Sequence, residues 1–179
     1  MNKAIIFDRD GTLIKDKGHI NSVSDVVLYD IDAGLMKSLN DQYLFFIVSN
    51  QSGIGKGLVT AVEVENIHQH LDAYFNGLGI HFTNIYFCPH QDIDNCSCKK
   101  PKTRFIDLIK SEYDINSSVS FVIGDHPSDM LFANNGGFNG IYLLTGHGRK
   151  HYKNLNNNQY CFIVKKNLNN ALKYISING

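Results

Sequence analysis

Two aspartates separated by one residue are the first part of the sequence whose chemistry is suggestive. Asp8 and Asp10 stand in the run Asp-Arg-Asp-Gly-Thr, directly after the apolar residues Ala4–Phe7. Paired carboxylates can bind a divalent cation, because hard cations prefer oxygen ligands. A tight turn is the competing interpretation, since Asp and Gly are common turn residues. A calcium-binding EF-hand is excluded, because it needs an acidic or amide residue at Thr12 and a Glu at His19.

A second pair of carboxylates lies in the C-terminal half of the chain. Asp125 comes two residues after the apolar run that ends at Ile123, and Asp129 follows at the start of a predicted helix. These two aspartates could complete a carboxylate cluster with Asp8. The alternative is helix capping by Asp125 or Ser128, because Asp and Ser are favoured immediately before a helix.

The segment 49–53, Ser-Asn-Gln-Ser-Gly, is a candidate phosphate-binding loop. It follows the apolar run 44–48 and supplies a hydroxyl group and backbone N–H groups at a strand-to-helix junction, where phosphate oxygens are commonly bound. Lys56 lies among glycines and could reach a substrate, although an ordinary Gly-rich loop explains it equally well. A Walker loop is excluded, because Lys56 is followed by Gly57 and not by Ser or Thr.

Three cysteines and one histidine lie together in the loop 88–98, namely Cys88, His90, Cys96 and Cys98. This is a complete tetrahedral ligand set for Zn²⁺ with no position left for a substrate, so it predicts a structural zinc site. The alternative is an ordinary loop with free thiols. Cys161 stands apart and is expected to be a small buried hydrophobe.

The elements that must position these residues alternate along the chain. We predict strands over 3–7, 44–48, 83–87, 119–123, 140–144 and 160–164, and helices over 31–42, 60–78, 102–113, 128–135 and 168–175, with a polar loop over 153–159. Short continuous apolar strands separated by helices indicate an α/β fold with a parallel sheet covered on both faces. Ligands bind at the carboxyl ends of such strands, and every candidate residue above follows a predicted strand. We expect one domain over residues 1–179.

The composition restricts the function classes. Lys plus Arg and Asp plus Glu both number 17, so the chain lacks the broad positive field that holds nucleic acid or an anionic membrane. The apolar runs are too short for a signal peptide or a membrane span. We therefore expect a cytoplasmic protein, acting as a monomer on a small molecule, with its thiols reduced. His68 and His70 are expected to be surface or packing residues.

Taken together, these stretches resemble the haloacid dehalogenase (HAD) superfamily of phosphotransferases. The resemblance lies in four motifs that occur in the same order as in the family: Phe7 to Leu13, Ser49-Asn50-Gln51, Lys100, and Gly124-Asp125 with Asp129. Four motifs in this order are far more specific than any one of them.

The resemblance implies a role for the residues of each motif. Asp8 would attack phosphorus, and Asp10 would protonate the leaving oxygen and then activate water. Mg²⁺ would be held by Asp8, the backbone carbonyl of Asp10, and Asp125. Ser49 and Lys100 would bind the phosphoryl oxygens. Asp129 would orient a neighbouring site residue from outside the metal ligand set.

The position of the cysteine loop narrows the resemblance. Cys98 is followed by Lys99-Lys100-Pro101, as in the small, capless branch that contains heptose 1,7-bisphosphate phosphatases and histidinol-phosphate phosphatase domains. The likeness covers about residues 3–150 and implies a three-layer α/β domain without a large cap. It also implies a set of substrate contacts: Asp16, Lys17, Gly18, His19, Asn50, Gln51, Ser52, Gly53, Lys99 and His126.

The resemblance implies magnesium-dependent hydrolysis of a sugar phosphate, with heptose 1,7-bisphosphate as the first candidate substrate. Two alternatives remain open. Ser52 favours the heptose enzymes, because histidinol phosphatases tend to carry an acidic residue there. However, Lys99 stands where the family usually has Arg, and His126 where it often has Lys, so a second phosphate could be held differently. Histidinol phosphate is the alternative substrate. A noncatalytic phosphometabolite-binding module is the alternative class, although it would need no acid/base pair such as Asp8 and Asp10.

Overall fold

Six strands and six helices alternate in the computed structural model, which describes residues 1–155 and 161–179. The strands are β1 Ala4–Phe7, β2 Leu44–Asn50, β3 Phe82–Cys88, β4 Phe121–Gly124, β5 Asn139–Leu143 and β6 Phe162–Lys165. The helices are α1 Ala33–Asn40, α2 Ala61–Gly77, α3 Arg104–Tyr113, α4 Pro127–Gly136, α5 Gly148–His151 and α6 Leu168–Asn178. The strands form one sheet in the order β3-β2-β1-β4-β5-β6, and all five pairings are parallel.

The predicted α/β fold is confirmed, with element boundaries that differ by a few residues. The short helix α5 was not predicted, because four residues carry no periodic apolar pattern. The predicted strand 119–123 begins later, since Ser117–Val119 forms a turn of 3₁₀ helix. The predicted start of the last strand at residue 160 and most of the predicted loop 153–159 lie outside the described residues.

The sheet is buried on both faces, which explains why its strands are continuous apolar runs. Because successive side chains on a strand point to opposite faces, Ile5 and Phe7 pack with α1, α2 and α6, whereas Ala4 and Ile6 pack with α3 and α4. Full burial of a large apolar side chain such as Phe7 contributes about 1.5–3 kcal/mol. The result is three layers, helix, sheet and helix.

β1 lies in the middle of the sheet, between β2 and β4. The strand order reverses beside it, so the connections that leave neighbouring strands diverge and open a crevice at their carboxyl ends. The backbone N–H of Asp8 still donates to the carbonyl of Ile123 at 2.8 Å, which holds the first residue after β1 beside β4. The chain then turns tightly, and Leu13 and Ile14 donate to the carbonyl of Arg9 at 3.0 and 3.1 Å.

The helices are placed by local capping signals. Thr60 and Glu63 form a capping box at the start of α2, and His126 and Asp129 form one at the start of α4 with Pro127 in its first turn. Within residues 1–155 and 161–179, no helix combines the length and the apolar character that crossing a membrane requires.

Candidate active site

Three carboxylates meet at the carboxyl ends of β1 and β4. Asp8 follows β1, Asp125 follows β4, and Asp129 lies in the first turn of α4; one carboxylate oxygen from each lies within 4.8 Å of the other two. Asp125 and Asp129 are buried, and the Asp8 side chain is 12% exposed. The Asp-Arg-Asp-Gly-Thr run therefore forms the tight turn that one interpretation predicted, and the same turn contributes Asp8 to a carboxylate cluster.

The cluster is electrostatically unfavourable without a cation. Burial, together with repulsion from Asp129 and Asp10, raises the pKa of Asp8 to about 7 against the opposing effect of Lys100. Burial and repulsion from Asp8 raise the pKa of Asp125 to about 8. Oxygen ligands that are buried, close together and mutually repulsive are the donor set that Mg²⁺ favours. The residues present therefore fit a divalent cation.

Lys100 is the cation that the chain itself supplies to the cluster. Its Nζ lies 2.6 Å from Oδ1 of Asp8, 2.6 Å from Oδ1 of Asp129, and 2.7 Å from the carbonyl oxygen of Val48. Burial lowers the pKa of Lys100, but the negative charges of Asp129 and Asp8 raise it by more than burial lowers it. The ammonium group therefore stays charged. The side chain of Asn50 bonds both the N–H and the carbonyl of Lys100, at 2.9 and 3.1 Å, and so fixes its backbone.

Glycine is required where the turns approach the carboxylates. Gly11 has φ of 81°, and a Cβ there would overlap the carboxylate of Asp125. A Cβ on Gly124 would overlap the carboxylate of Asp129. These two glycines allow the backbone to come close enough for the three acids to meet.

Helix capping of α4 is performed by residues other than the ones predicted. His126, not Asp125 or Ser128, is the cap, and its Nδ1 accepts from the N–H of Ser128 at 3.2 Å. Asp129 completes the cap by accepting from the N–H of His126 at 3.0 Å. Asp125 is thereby free to accept from the N–H of His147 at 2.7 Å.

Asp10 is held by donors on one side. Arg9 donates from Nε to Oδ2 at 2.9 Å and from Nη2 to Oδ1 at 3.1 Å, and Gln51 donates to Oδ2 at 3.0 Å. The Nη1 group of Arg9 meets Nε2 of His68 at 3.3 Å. Arg9 and His68 are 1% and 6% exposed, so His68 is a packing residue as expected, and Arg9 is a site residue that was not predicted. Its signal was a charged residue between two aspartates directly after a buried strand.

Two hydroxyl groups in the site have no partner among the described residues. They are Oγ of Ser49, at the carboxyl end of β2, and Oγ1 of Thr12, in the turn after β1. Both side chains are 1% exposed. A buried hydroxyl without a partner is costly, and a bound oxyanion would supply one.

The carboxylates open into a cleft of about 460 Å³. It is lined by Asp8, Asp10, Asn50, Ser52, Asp92, Lys99, Lys100, Asp125, His126, Ser128, Asp129 and His147. A larger cleft of about 880 Å³ beside α3 contains none of the predicted site residues, so its size alone does not make it the site.

The predicted substrate residues divide into three groups. Asn50, Ser52, Lys99 and His126 line the cleft. Asp16 and Gln51 contact the site from its margin, since Asp16 pairs with His147 at 2.7 Å and Gln51 bonds Asp10. His19 lies beside Gly53, and these two residues are not part of the cleft lining in the described part of the chain. Lys17 and Gly18 are exposed and do not line the cleft within the described part of the chain. Asp92 and His147 line it without having been predicted, because they belong to loops whose course is set by the fold.

The predicted zinc ligands come together at the end of β3. One ligand atom each from Cys88, His90, Cys96 and Cys98 lies within 4.8 Å of the others. The Sγ–Sγ contacts are 3.6 Å for Cys88 and Cys96, and 3.2 Å for Cys88 and Cys98. These spacings are too long for a disulfide and are near the ~3.8 Å edge of a tetrahedron with ~2.3 Å metal–sulfur bonds. The cluster could hold zinc. By contrast, the prediction that Cys161 is buried is wrong, because it precedes the edge strand β6 and is exposed.

The cysteine loop is tied to the cleft by specific contacts. Gly55 donates to the carbonyl of Pro89 at 2.9 Å, and Gln91 donates to the carbonyl of Gly55 at 2.6 Å. Nζ of Lys99 lies 2.8 Å from Oδ1 of Asp92. The cysteine cluster thus holds one wall of the cleft, including Lys99 and the start of the Lys100 segment. Lys56 is exposed and lies outside the lining.

Residues 3–139 match the family model described as Polynucleotide kinase 3 phosphatase. The chain is also 37% identical over 135 residues to D-glycero-beta-D-manno-heptose-1,7-bisphosphate 7-phosphatase of Helicobacter pylori, a match covering 73% of this chain and 76% of that protein. This chain belongs to the HAD-like phosphatases. As a HAD-like phosphatase it is a phosphoric monoester hydrolase.

Two further comparisons place this HAD-like phosphatase within its family. It is 40% identical over 147 residues to the histidine biosynthesis bifunctional protein HisB of Blochmanniella floridana, covering 79% of this chain but only 41% of that protein. Its fold matches the crystal structure of D,D-heptose 1.7-bisphosphate phosphatase from B. bronchiseptica complexed with magnesium and phosphate. That match has a TM-score of 0.89, 24% identity and 99% coverage of both chains. The resemblance to the heptose bisphosphate and HisB phosphatase branch is thereby confirmed.

Proposed function

We propose that this protein is a magnesium-dependent phosphatase that removes phosphate from a heptose bisphosphate through an aspartyl-phosphate. The observation that carries the proposal is the contact of Asp8 with Lys100 at 2.6 Å, beside two further carboxylates and with Asp10 two residues away. A nucleophile, a cation for its target and an acid/base group therefore lie in one cleft.

The residues support a two-step reaction. A carboxylate oxygen of Asp8 bonds to phosphorus, the bond from phosphorus to the leaving oxygen breaks, and Asp10 gives that oxygen a proton. Water then attacks phosphorus, Asp10 takes a proton from it, and the bond to Asp8 breaks, which releases phosphate. Lys100 and the hydroxyl of Ser49 bind the phosphoryl oxygens during both steps.

Asp8, the carbonyl of Asp10, and Asp125 would hold Mg²⁺, with Asp129 orienting Lys100. When bound, the ion supplies charge neutralisation for the approach of a carboxylate to a phosphate dianion. The magnesium in the B. bronchiseptica structure supports this assignment by analogy of fold. We propose zinc for the cysteine cluster, in a purely structural role, and this requires a compartment such as the cytoplasm in which the thiols remain reduced.

The relatives and the rim of the cleft support a heptose bisphosphate as the substrate. The Helicobacter relative bears the name of a heptose bisphosphatase, and Lys99 and His126 lie where a second phosphate could be bound. Histidinol phosphate is the second candidate, favoured by the 40% identity to HisB. A polynucleotide is disfavoured, because the chain has no net charge and Asp92 stands at the rim. We further propose that residues 1–179 act as one domain, since one continuous sheet carries the site.

The test is magnesium-dependent phosphate release from a panel of both anomers of D-glycero-D-manno-heptose 1,7-bisphosphate, other sugar phosphates, histidinol phosphate and a 3′-phosphorylated oligonucleotide. We expect release from a heptose anomer first. Activity on histidinol phosphate alone would keep the mechanism and replace the substrate. Asp8→Asn should lose at least about 10³-fold in kcat. Undiminished release by that variant would show that Asp8 is not the nucleophile. Absence of release from every member of the panel by the wild-type protein would favour a binding module.

A further inference from the structure

Arg9 has a position that fold stability alone does not explain. Its side chain is 1% exposed and is the largest fully buried side chain among the described residues. A guanidinium group is always charged, and burying it is expensive unless its donors are paired. An apolar side chain of similar volume would fill the same space at lower cost. The buried charge therefore indicates a role in the site.

The donors of Arg9 converge on Asp10. Nε and Nη2 bond the two carboxylate oxygens, at 2.9 and 3.1 Å, in the fork geometry that fixes the plane of a carboxylate. The Asp10 side chain is 21% exposed and lines the cleft, so the buried fork holds a carboxylate that reaches the substrate space. Lysine could not provide this contact, because it offers one charged nitrogen and no plane.

His68 holds Arg9 in turn. Nη1 of Arg9 lies 3.3 Å from Nε2 of His68, and because arginine can only donate, that nitrogen must be the acceptor of a neutral imidazole. The ring of His68 is packed on Phe87, with centroids 5.4 Å apart, and is 6% exposed. The chain of contacts runs from β3 and α2 through the histidine to the turn after β1.

We propose that Arg9, supported by His68, is a positioning residue that orients the Asp10 carboxylate toward the leaving oxygen and the attacking water. This rests on the proposed role of Asp10 as the acid/base group. Without the fork, Gln51 is the remaining side chain among the described residues that holds the Asp10 carboxylate, through one hydrogen bond of 3.0 Å that does not fix the carboxylate plane. Displacement of a catalytic group by about 1 Å can cost about 10²-fold in rate.

A double-mutant cycle tests the proposal, with kcat/KM measured on phenyl phosphate and p-nitrophenyl phosphate. We expect Arg9→Gln to lose about 10²-fold on phenyl phosphate, and less on p-nitrophenyl phosphate, whose better leaving group needs less protonation. In an Asp10→Asn background, Arg9→Gln should lose no more than about twofold further, because the two residues act as a unit. Losses that multiply, or that are equal for the two esters, would overturn the proposal.

If Arg9→Gln does not fold, two less disruptive variants, both at His68, test the proposal instead. His68→Leu removes the acceptor, and we expect about a tenfold loss on phenyl phosphate. His68→Gln, whose side-chain oxygen can accept the same hydrogen bond, should recover most of that loss. His70→Leu, an exposed histidine on the same helix, is the matched control. Equal losses in both His68 variants would overturn the proposal.

The proposed function fails in a different way. If Asp10→Asn retains full activity, the acid/base assignment is wrong and the inference falls with it. If Asp10→Asn is impaired while the cycle is additive, the assignment stands and only the inference fails. Wild-type protein that hydrolyses neither ester nor the panel would overturn both.

Discussion

Asp125→Asn should make the magnesium-free protein more stable while abolishing its activity. The substitution keeps the side chain's shape and an oxygen that can accept from the N–H of His147, the contact made at 2.7 Å by Asp125. It removes one of three crowded carboxylates, whose repulsion is offset among the described residues by the single ammonium group of Lys100. The site is thus built at the expense of stability, as expected where binding groups of like charge are held together.

The magnitude follows from the pKa of Asp125, which burial and the charge of Asp8 raise from 3.8 to about 8. A pKa difference of about four, at about 1.4 kcal/mol for each pH unit, sets an upper bound of about 6 kcal/mol on the gain in the free energy of unfolding. Because the repulsion is shared with Asp8, whose own pKa is raised, we expect about 2–3 kcal/mol from removing one member. For a chain of this length, that is a rise in Tm of roughly 4–10 °C.

The sign depends on pH. Between about pH 4 and pH 8 the folded protein holds a proton on Asp125 that the unfolded chain has lost, so wild-type stability falls as pH rises through this window. The advantage of Asp125→Asn should therefore be largest near about pH 9 and small near about pH 5. Subtracting the wild-type curve removes the titration of all other groups.

The assay is thermal unfolding in magnesium-free buffer, without a chelator that would also strip zinc. Mg²⁺ at about 100 times its Kd should stabilise the wild type by about 2.7 kcal/mol and leave Asp125→Asn almost unchanged. Asp30→Asn, at an exposed position, is the control and should behave as wild type. A variant that is no more stable than wild type near pH 9, or whose advantage persists at pH 5, would refute the reasoning.

Three other outcomes are expected. Cys88→Ser should lower the zinc content measured by atomic absorption and reduce Tm, whereas Cys161→Ser, at an exposed position, should change neither; full zinc in the first variant would contradict the assigned cluster. Burial and the charge of Arg9 lower the pKa of His68 to about 3. The free energy of unfolding should therefore fall as the pH drops below about 6.5, by up to about 1.4 kcal/mol per pH unit. His68→Gln should reduce this pH dependence, as measured by acid unfolding curves. Asp92→Asn should release Lys99 from its ion pair, and we expect KM for a bisphosphate to fall by about two- to threefold at low salt with kcat unchanged. An unchanged KM would show that Lys99 does not contact the substrate.

The sheet and its order of elements were predictable because local signals agree with the global fold. Every strand buried on both faces is a continuous apolar run, and α1, α2 and α6 each carry an apolar stripe and a capping residue. The three-residue 3₁₀ turns and α5 escaped prediction, because so few residues hold no periodicity. The exposure of Cys161 escaped as well, since the position of β6 at the sheet edge is not a local property.

The chemistry of the site was predictable from residue types, but its contacts were not. The two aspartates after β1 and the aspartate after β4 could be named because strand ends gather at one edge of a parallel sheet. The lysine after the cysteine loop was named through the resemblance to the HAD superfamily. That Asn50 holds the backbone of Lys100 depends on side-chain directions between residues that are 50 positions apart in sequence.

The sequence by itself determined the fold class and was enough to predict the catalytic residue types and the metal ligand set, because each rests on local pattern or on chemistry that only a few side chains perform. The tertiary structure alone decided which charged and polar groups meet: it placed Asp129 on Lys100, and it brought His68 to Arg9 and Asp10 from a distant segment of the chain. The physical reason is that electrostatic interaction and burial depend on distance and solvent exposure, which chain folding creates between residues that are far apart in sequence.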